Sequence, residues 1–319
     1  MEFYTIFNQI IFLAILAFCG ILAFKFKILS DSSKNVIEKL VFYITLPLLI
    51  ITKVSSLEIT PVIIQNSGLV IGFTYLIIAI QIGFGNLSAK LLKLPKGQAV
   101  IHSLHTFLGN IVFLGFPLLD ALFPGGEAML YAALYQLVMN TVLWTYGISK
   151  LNPEKGKKRI VSLKKLLNPN TIALVIGLLM MIFRLRLPEM INYPLAGLGN
   201  TTMYLAMLYI GILLAKSKIL SMFRKKDVLI LSFNKLLLLP ILLIVLFRFL
   251  LNLFSINMDQ IAFSVIILEA AMPCMTILVI LAKRFGADDE KAMEDFVVST
   301  ILSILSLPLV IYLINYIGF

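Results

Sequence analysis

Apolar runs of about twenty residues recur along the whole chain, separated by short polar or charged breaks. Each run is long enough to cross a hydrocarbon layer of roughly 30 Å as a helix rising about 1.5 Å per residue. The runs show no strict alternation of apolar and polar residues, so strands are not indicated. The pattern predicts ten helices, at roughly 5–24, 36–52, 68–91, 100–121, 127–149, 169–186, 194–215, 228–251, 260–283 and 291–316.

Composition agrees. Of 319 residues, 60% are hydrophobic and only 13% charged, about half the charge of an ordinary soluble domain; the mean hydropathy is +1.01. The fold class predicted is an all-α polytopic membrane protein. The amino terminus opens with an acid and its positive residues follow the apolar run, so it reads as the first span and not as a cleavable signal. Cys19 and Cys274 both fall inside predicted spans and suggest neither a disulfide framework nor a zinc site.

The net charge of +11 has a topological explanation. Residues 150–165, "KLNPEKGKKRIVSLKK", carry seven Lys and Arg and should be cytoplasmic. Alternation from that loop places 22 of the 27 Lys and Arg on the cytoplasmic side. Both termini are then extracytoplasmic, and no nucleic-acid partner is implied. The lipid bilayer is the partner that the composition demands.

Five spans precede the basic loop and five follow it, so the halves would insert with opposite orientation. The expected units are a first five-helix repeat at 1–150, a basic cytoplasmic loop at 151–168 and a second, inverted repeat at 169–319. Inverted repeats are a recurring plan of secondary transporters, whose sites lie near the midplane where broken helices meet. The fourth and ninth spans supply candidates for such breaks. The fourth, "HSLHTFLGNIVFLGFPLLDALF", holds Gly109, Asn110, Gly115 and Pro117 near its middle. The ninth holds Glu269 and Pro273 at the corresponding depth. A proline inside a helix removes one hydrogen bond and displaces the carbonyl four residues earlier: Phe113 for Pro117, Glu269 for Pro273. Each break would offer anions a half-helix amino end and cations a half-helix carboxyl end.

Glu269 is the sharpest single residue. An acid at mid-span costs about 2.5–3.5 kcal/mol on insertion scales and marks a functional candidate. With no Lys or Arg predicted at its depth, it calls for a proton or a bound cation. Glu269, Pro273 and Thr276 follow i, i+4, i+7 and would share one helix face. Asn110, with Thr106 and Pro117 close to its face, is a site candidate or an interhelical tie. Asn140 follows Gln136 by four on the fifth span, and Ser303 follows Ser299 on the tenth; that spacing also suits helix packing. Asn200, Thr201 and Thr202 could complete a cation site or tie helices together. Lys235 is near enough to the cytoplasmic side to snorkel. His102 and His105 lie three apart but lack a third metal ligand of recognisable spacing.

Several stretches carry a family likeness. "GNIVFLGFPLLDALFP", "YAALYQLVMNTVLWTYG" and "AAMPCMTILVILAKRFGADDEKAMEDFVVSTILSILSLPL" resemble the fourth–fifth and ninth–tenth span signatures of the auxin efflux carrier family. "LVFYITLPLLI" and "NKLLLLPILL" are similar to it in the second and eighth spans. The resemblance implies two inverted five-helix repeats whose fourth and ninth helices cross at their prolines. It implies a scaffold domain and a moving transport domain, a homodimer, and a small organic anion as substrate. It places the substrate beside Asn110, Pro117 and Pro273; Gly109, Gly115, Asn140 and Cys274 complete the candidate substrate residues. The compact central loop is like that of the bacterial members. "LEAAMP" also resembles the ninth helix of the bile-acid sodium symporters, which implies a cation at Glu269; Pro273 departs from the polar residue those symporters carry next.

The expected function is secondary active transport of small carboxylates across the cell membrane by alternating access. No further cofactor is expected beyond Na+ or H+ as coupling ion, with Glu269, Thr276, Asn200, Thr201 and Thr202 as the cation-site candidates. No Walker A loop is present, so gradients would supply the energy. Two rivals stand beside it: an intramembrane metal-dependent enzyme built on His102, His105 and Glu269, and a sensor that keeps a carrier fold without transporting.

Overall fold

Helix forms in each of the ten stretches where the hydrophobic pattern predicts it. The computed structural model describes residues 3–151 and 167–317. The predicted basic loop at 151–168 falls outside the described residues except at its ends. The helices are α1 (Phe3–Lys25), α2 (Asp31–Ser55), α3 (Pro61–Leu91), α4 (Lys96–Phe107), α5 (Ile111–Leu122) and α6 (126–151). After the loop come α7 (Pro169–Ile182), α8 (Glu189–Ala215), α9 (Lys226–Leu253), α10 (Gln260–Ala270), α11 (Thr276–Phe285) and α12 (Asp289–Ile317). Six of these (α1, α2, α3, α8, α9 and α12) are long and apolar enough to cross a membrane, and α5, α7 and α10 are shorter apolar helices. The chain is an all-helical, multi-pass membrane protein.

Local chemistry sets the ends. Ser30 caps α2 through a reciprocal capping box with Ser33. Thr60 caps α3 with Pro61 just inside it, and Asn168 with Pro169 does the same for α7. Asp259 accepts the Ile261 and Ala262 amides at the start of α10. Gly286, at φ 71°, ends α11 in the left-handed conformation.

Three prolines behave alike. Pro47, Pro117 and Pro240 each sit two residues beyond a five-residue π turn, at Val41–Thr45, Ile111–Gly115 and Asn234–Leu238. The widened turn makes room for the ring and its missing N–H without interrupting the helix. The expected break at Pro117 is thereby corrected. The chain is helical from Ile111 to Leu122, and its interruption lies seven to nine residues earlier, at Leu108–Asn110.

Packing places both interrupted spans at the centre. α3 lies on α4 and α6, α10 lies against α6 and α3, and α12 contacts α9, α11, α4 and α1. α1 runs along α8, while α2 rests on α7 and the start of α8. The α1–α8 contact needs glycine: a Cβ on Gly211 would overlap the Ala17 carbonyl, and one on Gly20 would sit 2.6 Å from the Leu208 carbonyl. Residues 101–119 and 262–276 are buried without exception. In contrast, α1, α2 and α7 turn Ile15, Phe18, Tyr43, Ile172 and Val175 outward, as helices facing lipid must.

Ion pairs form two layers at opposite helix ends. Lys53 meets Asp120 at 2.8 Å and Arg186 meets Glu58 at 2.9 Å. At the other end Lys216 pairs with Asp31, Lys225 with Glu294 and Lys291 with Asp227. Asp31 and Lys53 belong to the same helix, about 33 Å apart along its axis.

Candidate functional site: a main-chain crossover of two broken helices

The two interruptions meet each other. Gly109 and Cys274 form an isolated antiparallel bridge. The Asn110 N–H donates to the Pro273 carbonyl at 2.8 Å, and the Met275 N–H donates to the Leu108 carbonyl at 3.1 Å. Main-chain groups that a continuous helix would have paired internally are thus paired across the crossing. The crossing falls at Gly109–Asn110 on one side and Pro273–Cys274 on the other. The expectation that the helices cross at both prolines holds for Pro273 and is corrected for Pro117.

Polar side chains complete the accounting. In a continuous helix Asn110 would donate to the Thr106 carbonyl; here that carbonyl accepts from the Lys235 ammonium at 3.1 Å. Cys274 would donate to Ala270; instead the Gln81 amide supplies Ala270 at 3.2 Å, and the Cys274 N–H turns to Ser299 Oγ at 3.0 Å. Each half-helix carboxyl end is therefore capped by another helix, α4 by Lys235 of α9 and α10 by Gln81 of α3. Lys235 is fully buried, so the snorkelling expectation is overturned. Its alkyl stem lies among buried neighbours and its ammonium finds a freed carbonyl, which a C-terminal helix dipole favours.

Around this frame lie polar atoms without a hydrogen-bond partner. Both Glu269 carboxyl oxygens, Asn110 Nδ2, Thr276 Oγ1 and Gln81 Oε1 are buried and unpaired. The Glu269 carboxyl rests on Gly115: a Cβ there would stand 2.7 Å from Oε2 and 2.8 Å from Oε1. Tyr135 of α6 faces Glu269 electrostatically, its own hydroxyl also unpaired. Tyr209 of α8 stacks on Phe113 of α5, ring centroids 4.4 Å apart, joining α8 to the crossover. The predicted common face of Glu269, Pro273 and Thr276 does not form, because the chain is not helical from Ala271 to Met275. Glu269 ends α10 and Thr276 begins α11.

The predicted site residues divide accordingly. Gly109, Asn110, Gly115, Pro273, Cys274 and Glu269 come together at the crossover. Pro117 lies about two turns beyond the bridge, along α5. Asn140 is buried on α6, one to two turns from Tyr135. Asn200 is exposed, Thr201 bonds the Leu198 carbonyl of its own helix, and Thr202 donates to Thr45 at 2.9 Å. Thr202 alone of the three ties α8 to α2, and none of them is hydrogen-bonded to Glu269. Sequence reasoning missed Gln81, Tyr135 and Tyr209. A lone amide within the apolar run "LIIAIQIGF" was the signal available for Gln81.

The histidines have other partners. His102 Nε2 contacts Ser88 Oγ at 3.0 Å; His105 contacts Asp295 and the Met275 carbonyl, each at 3.3 Å. Among the described residues no three His, Cys, Asp or Glu side chains are grouped to hold a metal ion, so the convergence an intramembrane metalloenzyme needs is not formed there. The unpaired oxygens at the crossover are instead the donor type suited to a hard monovalent cation or a proton.

No curated protein matches the sequence. The sequence pattern described as membrane transport protein matches residues 5–311, from the first predicted span into the last. With nearly the whole chain inside that match, the protein belongs to the membrane transport protein family, that of the auxin efflux carriers which its crossover stretches resemble.

Proposed function

We propose that this transporter is a secondary carrier of small organic anions, carboxylates foremost, working by alternating access in the cell membrane with both termini extracytoplasmic. The observation that carries the reading is the buried crossover, with Asn110 Nδ2 and the Glu269 carboxyl unpaired beside it. Asn110 would donate to a substrate carboxylate, and the amino end of α11 adds a favourable dipole. Glu269 would take up Na+ or H+, offsetting the anion's charge during the crossing.

In this reading residues 1–150 and 169–319 are inverted repeats, and the crossover helices move with α3, α6, α9 and α12 against a scaffold of α1, α2, α7 and α8. The outward apolar faces of α2 and α7 would carry a homodimer contact. Counterflow of radiolabelled carboxylates into liposomes tests the function, and absence of counterflow across a broad carboxylate set removes it. Thermal stability in sodium against potassium at fixed ionic strength tests the ion. A ligand at a hundred times its dissociation constant adds about 2.7 kcal/mol, so a sodium site gives an upshift that Glu269→Gln abolishes.

A further inference from the structure

We infer that His105 and Asp295 form a second proton-binding site, wired to one helix-end layer of the protein and latched to the crossover. The pair lies apart from Glu269, and only the transport arm of its test rests on the carrier reading above.

His105 Nε2 faces the Met275 carbonyl and Nδ1 faces Asp295 Oδ2, each at 3.3 Å. A carbonyl oxygen only accepts, and a neutral imidazole has a single N–H. Both contacts are hydrogen bonds at once when the pair holds one proton, as a neutral ring beside a carboxylic acid or as an imidazolium beside a carboxylate. Asp295 is set up for the second form, because its other oxygen accepts from the Lys291 ammonium at 2.7 Å. Lys291 also pairs with Asp227. The four groups then balance, two positive and two negative. His105 and Asp295 are fully enclosed, Lys291 is 2% exposed and Asp227 is 23% exposed. The chain thus runs from the crossover to the helix-end layer that holds Lys216–Asp31 and Lys225–Glu294.

The remaining charged and titratable neighbours are accounted for. His102, one turn back on α4, engages Ser88 of α3, which also accepts from Asn234 of α9. The Cys274 thiol lies within electrostatic reach of His105, and Lys235 holds the adjacent Thr106 carbonyl.

Release of the proton is a balanced relay. The His105 Nδ1–H bond breaks as an O–H bond forms on Asp295. A turn of the Asp295 carboxyl carries the proton from the oxygen facing His105 to the side facing Lys291. Lys291 accepts it as it passes one of its own to Asp227, and Asp227 delivers that proton to water. What remains is a neutral ring with one N–H for two acceptors, so either Asp295 or Met275 loses its donor. Met275 is the cap residue of α11 and donates its own N–H to Leu108 at the bridge. Proton loss therefore loosens α4 from α11 or from α12, in direct contact with the crossover.

The chain has only two histidines, so ring-nitrogen NMR of histidine-labelled protein in nanodiscs reads the site directly, with His102→Asn for assignment. The expected result is a His105 ring with both nitrogens protonated at neutral pH, converted to a neutral ring in Asp295→Asn. A neutral His105 ring in the unmodified protein overturns the proposal. In liposomes that show counterflow, the rate should depend on the pH of the compartment facing Asp227, approaching about tenfold per unit for a single proton, and His105→Gln should flatten that dependence. An identical pH profile for His105→Gln and the unmodified protein also overturns it. Failure of every liposome to transport would count against the carrier reading, while the NMR result still decides the proton site.

Discussion

The two broken spans reach one crossing by different local means. The ninth span interrupts at Ala271–Met275, with Pro273 inside the break, as a missing N–H would suggest. The fourth interrupts at Leu108–Asn110, where no proline stands, while Pro117 is absorbed by a π turn farther along. What the interruptions share is each other, because the Asn110 and Met275 amides are paired across the bridge. A proline is thus neither needed nor enough for a break; an external partner for the freed main chain is what sustains one. The caps differ too, since a buried ammonium closes α4 and a neutral amide closes α10.

The largest expected effect removes the contact between the halves. Gly115→Val would push a side chain into the Glu269 carboxyl, costing about 1–3 kcal/mol by overpacking and abolishing counterflow; an active variant would show that this contact is dispensable. Next comes Gln81→Leu, which leaves the Ala270 carbonyl buried without its donor. The expected loss is about 1–3 kcal/mol, read as a lower Tm in detergent.

Lys235→Met sharpens the contrast between the caps. It orphans the Thr106 carbonyl but also removes a buried charge that has no ion-pair partner among the described residues, and these terms oppose. The net stability change should stay within about 1 kcal/mol, smaller than for Gln81→Leu. A loss exceeding that of Gln81→Leu would show that the ammonium contributes more than its desolvation costs. The smallest effect belongs to Pro117→Ala. In a helix already continuous through 111–122, the Tm should correspond to a change below about 1 kcal/mol, with counterflow retained. Loss of counterflow there would return Pro117 to the site.

Much of this was legible in sequence because of what lipid demands. Ten helical stretches follow from apolar length, and the sorting of Lys and Arg into loops follows from their cost in hydrocarbon. The place of Gly109, Asn110, Glu269 and Pro273 in two exceptional spans followed from polar and helix-breaking residues set where the bilayer penalises both. The position of the fourth-span break was not legible, since a one-span reading assigns it to the proline. The common face of Glu269 and Thr276 failed for the same reason: helical spacing has meaning only while the helix continues.

The sequence by itself determined a polytopic helical membrane protein with two exceptional spans, because burial in hydrocarbon is a per-residue energy summed along the chain. Only the tertiary structure decided that those spans cross at Gly109 and Cys274, that Lys235 and Gln81 close their ends, and that His105 meets Asp295 across 190 positions of sequence. Those outcomes depend on which freed carbonyl or amide finds a partner on another helix. That is a property of three-dimensional proximity, and no local window of sequence contains it.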